Sequence, residues 1–156
     1  MRWALLAVLL ASAARGEERP RLWGSVHLYP MTSFPDVLGG GLTLHVIPWV
    51  DLQGGLSAFP GRFGWWVRGG PRFLIGDFRD ETHRGFTWRF SALAGYRAFR
   101  DPKADAAGFS AILSTDVTHF FSPHLGLSIQ AACGGLYDAA GKRVLPELRL
   151  GVGLTF

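Results

Sequence analysis

Three side chains between positions 116 and 122 are of the types that carry out nucleophilic catalysis together. A serine becomes a nucleophile when a base lies within hydrogen-bond reach of its hydroxyl and an acid orients that base. Ser122 could supply the hydroxyl, His119 the base and Asp116 the orienting acid. Because Ser122 precedes Pro123, a serine in a turn is the alternative interpretation.

Five histidines follow the N-terminal segment, and their spacing argues against a metal site. No two of them form the helical HxxxH or the strand HxH pattern, and Cys133 is the only thiol. We therefore predict no metal and no cofactor. His27 and His45 could approach each other across the first two predicted strands, where hydrogen-bonded interior histidines are the expected outcome.

Composition excludes several classes of protein. The chain has 156 residues, enough for one domain, and 48% hydrophobic with 18% charged residues is incompatible with disorder. The 16 cationic residues include two lysines, Lys103 and Lys142, whereas soluble surfaces normally carry many. The formal net charge of +4 comes without a basic run, so no nucleic-acid partner is predicted.

The first residues read as an export signal. Arg2 is followed by an apolar run over 3–10 and by the small residues Ala11, Ser12 and Ala13. We predict a signal peptide over approximately residues 1–16 and one domain over 17–156. No later stretch has the ~20 consecutive apolar residues of a membrane helix. Cys133 has no partner for an intramolecular disulfide.

Alternation of apolar and polar residues dominates the rest of the chain. At the C-terminus, every second residue from Leu148 to Phe156 is apolar, and the residues between them are small or polar. Side chains of a strand point alternately to opposite faces, so such a segment has one apolar face.

The same pattern predicts eight strands, whose lengths suit tilted transmembrane strands. They cover residues 22–30, 38–48, 50–59, 64–75, 84–97, 108–119, 124–137 and 144–156. Pro71 lacks a donor for the ladder, which predicts a bulge or a shortened fourth strand. Turn signals separate the strands at Ile47-Pro48, Phe59-Pro60-Gly61, Gly76-Asp77, Asp101-Pro102, Ser122-Pro123 and Ala140-Gly141-Lys142. The predicted fold is all-β, an antiparallel up-and-down transmembrane β-barrel of about eight strands.

The composition of the polar face indicates which face points inward. An eight-stranded barrel has an interior just wide enough for side chains, and the polar face here is mostly small residues with a few long ones. We therefore place the apolar face toward lipid and expect the interior charges to pair, because an isolated buried charge is costly. The predicted interior polar cluster is His27, His45, Arg68, Arg89, Asp116, Glu147 and Arg149.

Aromatic residues near the predicted strand ends agree with two membrane interfaces, which such rings prefer. One predicted rim contains Trp23, Trp49, Phe120, Phe121 and Phe156, and the other contains Tyr29, Phe59, Phe63, Trp65, Tyr96 and Tyr137. The alternative is that aromatic residues simply end strands.

With its predicted signal peptide, its amphipathic strands and the final strand over 148–156, the chain resembles the small eight-stranded bacterial outer-membrane β-barrels. The resemblance covers nearly the whole mature chain. It implies an outer-membrane location, contact with outer-membrane lipid, and recognition of the last strand, with Phe156, by the assembly machinery.

That fold serves several functions, so the function stays open. A non-enzymatic structural or surface-interaction role is our first expectation, with short outer loops predicted near 31–36, 60–63, 98–107 and 138–142. The His119 and Ser122 pair is similar to the His and Ser of lipid A deacylase barrels, which gives a lipid-modifying enzyme as the alternative. The His-x-Ser-Asn run of that family is absent here. A soluble periplasmic lipid-binding barrel is the second alternative.

Overall fold

The computed structural model describes residues 23–33, 38–59, 62–100 and 105–156. The predicted signal peptide lies outside the described residues. Within the described part, no helix is long and apolar enough to cross a membrane.

The described residues form one closed antiparallel sheet, as the alternation predicts. The strands are β1 (Trp23–Ser33), β2 (Leu38–Ile47), β3 (Val50–Phe59), β4 (Arg62–Arg79), β5 (Gly85–Arg100), β6 (Ala106–Ser122), β7 (Leu125–Asp138) and β8 (Arg143–Thr155). Each strand pairs with its neighbours in sequence, and β8 pairs with β1 to close the barrel. The predicted all-β, up-and-down fold of eight strands is confirmed.

The seam between β1 and β8 extends to Phe156, with one register shift between Leu28 and Met31. Gly24 and Phe156 exchange two backbone hydrogen bonds, both of 2.9 Å, and Ser25 pairs with Thr155 in the ladder. Closure gives every strand two neighbours, so the backbone polar groups of the wall are bonded within the sheet.

We call the two ends of the barrel lower and upper. The lower end carries the connections over 48–49, 80–84 and 123–124 together with Phe156. The upper end lies where the strands are joined across 34–37, 60–61, 101–105 and 139–142.

β4 differs from the prediction, because it is the longest strand, with 18 residues. Pro71 pairs with Val50, the first residue of β3. β5 pairs with β4 on both sides of Pro71, at Gly69 and Arg72. The ladder therefore tolerates one missing donor. The predicted shortening is wrong, and the irregularity lies between Leu74 and Gly76.

The turn predicted at Gly76-Asp77 is also wrong, since these residues pair with Trp88 and Thr87 inside the ladder. The chain reverses over 80–84, where the carboxylate of Asp80 accepts hydrogen bonds from the Thr82 hydroxyl and from the backbone N–H groups of Thr82 and Arg84. These bonds, the hydroxyl bond first, hold the pKa of Asp80 below its usual range.

The alternation of buried and exposed residues along the strands shows which face of the sheet points into the barrel and which points outward. On β8, Glu147, Arg149, Gly151 and Gly153 are buried, while the alternate aliphatic residues are exposed. The large exposed hydrophobic residues continue around the barrel, for example Leu28, Leu44, Leu56, Val67, Phe109 and Ile129. The apolar face is therefore the outside of the barrel. The inward face is mostly polar, with a few buried apolar residues such as Leu93, Ile112 and Leu136.

Glycines on the inner face make room for two large rings. Trp66 and Tyr29 are each 1% exposed, and they stand edge to face with ring centroids 5.9 Å apart. A Cβ on Gly55 would overlap the Trp66 ring and the carbonyl oxygen of Gly40, and one on Gly151 would lie 2.7 Å from the Tyr29 ring. The interior is thus filled at this level.

We expect Gly55→Ala to destabilise the barrel by about 1–3 kcal/mol, because the added methyl group overpacks the interior against Trp66. Gly54→Ala is the matched control on the neighbouring residue, since the nearest atom to its Cβ would be the Trp66 carbonyl oxygen at 3.6 Å. Urea unfolding in detergent, followed by tryptophan fluorescence, measures both. Equal midpoints for the two variants would contradict this account of the interior.

Candidate functional site: the barrel interior

The upper part of the interior is organised around one carboxylate. Glu147, on β8, accepts hydrogen bonds from Arg68 Nη2 at 2.7 and 2.8 Å, from Arg149 Nη2 at 3.0 Å, and from Arg97 Nη1. Ser110 donates its hydroxyl to the same carboxylate and accepts a bond from Arg68 Nε at 3.0 Å. We call these five residues the upper cluster; its named side chains carry three positive charges and one negative.

Aromatic rings compensate part of that excess positive charge. The guanidinium of Arg149 lies 3.8 Å from the centroid of Trp66 and 5.7 Å from that of Tyr29. A cation over an aromatic face is attracted by the electron density of the ring, more strongly when water is excluded. The buried rings therefore contribute to holding Arg149 inside the barrel.

Below the upper cluster, a group of uncharged polar side chains crosses the barrel. Tyr29 donates its hydroxyl to Gln130 Oε1 at 2.7 Å, and Gln53 Nε2 lies 3.3 Å from the same oxygen and 3.3 Å from Thr43 Oγ1. Because buried polar groups are costly without hydrogen bonds, these contacts are what allow amides and a phenol to fill the centre.

Two further carboxylates organise the lower half. Asp116 lies 3.5 Å from His27 Nε2 and 3.8 Å from Arg89 Nη1, and it accepts a hydrogen bond from Thr118 Oγ1 at 2.7 Å. Ser128 Oγ completes the group, 2.8 Å from His27 Nε2.

Asp51 forms the lowest cluster. Its Oδ1 lies 2.7 Å from His45 Nδ1 and 3.0 Å from Arg72 Nη1, and its Oδ2 accepts from Ser91 Oγ at 2.7 Å. Arg72 also donates to the carbonyl oxygens of Ile47 and Pro48 in the β2–β3 turn. The cluster thus ties the turn to the interior.

Each residue of the predicted interior cluster points inward, but they are distributed over three groups. Arg68, Glu147 and Arg149 meet in the upper cluster, whereas His27, Arg89 and Asp116 meet lower down. His45 belongs with Asp51, so the approach of His27 to His45 that the sequence suggested does not occur: the two pair with Gly41 and Trp23 respectively.

Sequence reasoning missed Arg97 as a member of the upper cluster. It has the same strand parity as Arg89, which was assigned to the interior, so the signal was present at the end of the predicted strand. Tyr29 and Phe120 were predicted at the aromatic rims, and this is wrong because both are buried inside. Trp49 is half-buried, and the side chains of Trp23 and Phe59 lie outside the described part.

The three candidates for nucleophilic catalysis are not brought together. Asp116 points inward, where it meets Thr118 and His27, while His119 is exposed on the outer face with its ring 4.4 Å from that of Phe86. Ser122 ends β6 at the lower end, and its hydroxyl accepts from the backbone N–H of His124. Among the described residues, no cluster of three or more histidine, cysteine or acidic side chains could hold a metal ion.

A closed barrel of eight antiparallel strands, apolar outside and polar inside, is the architecture of the small bacterial outer-membrane barrels. Solved structures of such barrels are similar to this chain in fold. Neisserial surface protein A is similar with a TM-score of 0.56 and 9% identity, over 85% of this chain and 92% of that one.

The N-terminal β-barrel domain of Pseudomonas aeruginosa OprF has a TM-score of 0.52 and 13% identity, over 87% of this chain and 98% of that one. Ail, the attachment invasion locus protein of Yersinia pestis, has a TM-score of 0.38 and 12% identity, over 87% of this chain and 99% of that one. No protein-family model and no curated protein matches the sequence. At these identities, the similarity to the first two concerns the fold.

We expect Glu147→Gln to destabilise the barrel by about 3–5 kcal/mol, because it leaves three buried arginines without their shared carboxylate. The control is Asp77→Asn, which removes one partner of the more exposed pair with Arg79 and should cost about 0–1 kcal/mol. Urea unfolding in detergent provides both values. A Glu147→Gln midpoint equal to that of Asp77→Asn would exclude the upper cluster as a major source of stability.

Proposed function

We propose that the chain is an integral outer-membrane barrel with a structural or surface-interaction role and without catalytic activity. The observation that carries this proposal is the inverted distribution of side chains: large hydrophobic residues are exposed on all eight strands, and arginines and carboxylates are buried. An exposed apolar surface of this extent is stable against lipid and prone to aggregate in water.

Aromatic residues near both ends support the membrane assignment. Phe63, Trp65, Tyr96 and Tyr137 are exposed at the upper end, and Phe78, Phe86, Phe121 and Phe156 are exposed at the lower end. Such rings favour the boundary between headgroups and hydrocarbon. Their separation into two levels fits a barrel that spans one bilayer.

The connections at the upper end favour a structural role over a receptor role. The strand bounds leave at most five residues between consecutive strands there, at 101–105. Binding a macromolecule generally takes about 800 Å² from each partner, which short connections supply poorly. The separation of Asp116 from His119 removes the geometric support for the lipid-modifying alternative.

Export and assembly complete the proposal. Residues 1–16 would direct the chain across the inner membrane, and β8 would present its exposed apolar side chains to the assembly machinery. Phe156, which is exposed and bonded to Gly24 by its backbone, is the residue that we assign to that recognition.

A pair of arginine substitutions on β8 tests the membrane assignment. Leu150 and Val144 lie on the outer face of this strand, one near its middle and one near its upper end. We expect Leu150→Arg to cost about 2–4 kcal/mol in lipid vesicles and Val144→Arg about 0–1 kcal/mol, because a charge is most costly at the bilayer midplane. Urea unfolding of vesicle-inserted protein measures both.

In a soluble barrel, both arginines would lie in water and both variants would be near neutral. Fractionation of expressing cells gives an independent test. We expect the protein in the outer-membrane fraction, released by detergent. Recovery as a water-soluble monomer without detergent would instead support the soluble lipid-binding barrel.

A further inference from the structure

The lower end of the barrel is uneven, because its wall reaches further down on β4–β6 than on β8, β1 and β2. β3 pairs with β4 as far as Pro71, and β4 then continues over Arg72–Arg79 as the partner of β5. In a ring of eight strands, β4 and β5 lie opposite β8 and β1. The extension therefore lowers one wall of the barrel and leaves the opposite wall short.

The ladder register shows how large the difference in height is. A row of partners that starts at Trp23, the lower end of β1, returns to β1 near Ser33, its upper end, after one turn around the barrel. Rows therefore climb from β1 to β8, by roughly 3 Å at each strand. One row leads from Arg79 to Thr155 through Gly85, Phe120 and Gly126. The lower end of β4 thus lies on the order of 10 Å below that of β8.

The outer face of the lower wall is apolar to its end. Phe78 is 70% exposed, its ladder partner Phe86 is 51% exposed, and Phe121 is exposed at the end of β6. On β8, the lowest exposed ring is that of Phe156. Since such rings favour the boundary between headgroups and hydrocarbon, the lower boundary is inclined relative to the barrel, and it lies lower on β4–β6.

The upper end gives the same inclination independently. Among the described side chains, the exposed rings there belong to β4–β7, for example Trp65 and Tyr96, whereas Leu148 of β8 and Leu38 of β2 are aliphatic and exposed. Tyr96 leads along its row to Val144 on β8, and Leu148 lies four residues below Val144, so Leu148 and Tyr96 have similar heights on the barrel. Aliphatic side chains favour hydrocarbon, so the upper boundary also lies lower on the side of β4–β7.

We propose that the barrel stands inclined in the bilayer by roughly 20–30°, so that phospholipid of the lower leaflet covers the extended wall of β4–β6. The two ends incline in the same sense, as the two parallel boundaries of one bilayer require. The extended wall is also continuous with the lipid-facing surface above it. A protein that covered only this wall would leave the rings of the upper end unexplained. The inference rests on the proposed membrane location.

Depth measurements with single labels test the inclination. In a Cys133→Ala background, an environment-sensitive fluorophore is attached to Leu148→Cys or Tyr96→Cys, and the protein is inserted into phosphatidylcholine vesicles brominated at shallow or deep chain positions. Because the two residues have similar heights on the barrel, an upright barrel would place both labels at one depth. We expect the Leu148 label roughly 5–10 Å deeper than the Tyr96 label.

A label at Phe78→Cys tests the contact with lipid. We expect brominated lipid to quench it and aqueous iodide, present on both sides of the membrane, to leave it unquenched. Thr82→Cys, in the turn that follows, is the control that iodide should reach. Replacing the lower rings by Phe78→Ser and Phe86→Ser should bring the depths of the Leu148 and Tyr96 labels to within about 3 Å of each other, because the anchors of the inclination are lost. Leu44→Ser, an outward residue of the opposite wall, should leave the depth difference unchanged.

Equal depths of the Leu148 and Tyr96 labels would overturn the inclination, including the case in which the bilayer thickens locally around the extended wall. Quenching of the Phe78 label by iodide, or its protection from both quenchers by a covering protein, would overturn the contact with lipid. A label at Leu150→Cys reports separately on the proposed function. If deep bromine does not quench that label, the membrane location itself fails.

Discussion

Closing eight strands into a barrel leaves an interior only as wide as the side chains that point into it, and this constraint governs the rest of the structure. Every inward residue must fit and every inward charge must find a partner without help from bulk water. The sequence meets the first condition with glycines opposite Trp66 and Tyr29. It meets the second by grouping arginines and histidines around Glu147, Asp116 and Asp51.

These groups also connect strands that the ladder does not. In a ring of eight, β4 lies opposite β8, and Arg68 meets Glu147 across that diameter. Gln53 of β3 reaches Gln130 of β7 in the same way, 3.3 Å apart. Backbone pairing fixes neighbours around the wall, whereas the interior side chains brace opposite walls. The outer face is then free to be apolar, because none of the polar bracing depends on it.

The alternation of apolar and polar residues predicted most of the fold, because each residue of a strand faces the side opposite to its neighbours. The number of strands, their order and the face that each side chain occupies follow from that alternation. The errors have the same origin: Gly76-Asp77 was taken as a turn from residue type, although β4 continues through it, and Tyr29 and Phe120 were placed at the rims because they are aromatic. Tyr29 has the strand parity of His27, and Phe120 that of Thr118, which put both inside. Contacts such as that of Glu147 with Arg97 depend on register and rotamers across the barrel, so no local pattern predicts them.

The pairing of the charges around Glu147, Asp116 and Asp51 makes the interior a stabilising part of this molecule. Where a carboxylate already has donors on both oxygens, as Glu147 does, a ligand would have to displace internal partners that cost much to leave unpaired. An interior built this way therefore stabilises the barrel by pairing its charges, and those pairs leave no charge of the three clusters free for a ligand.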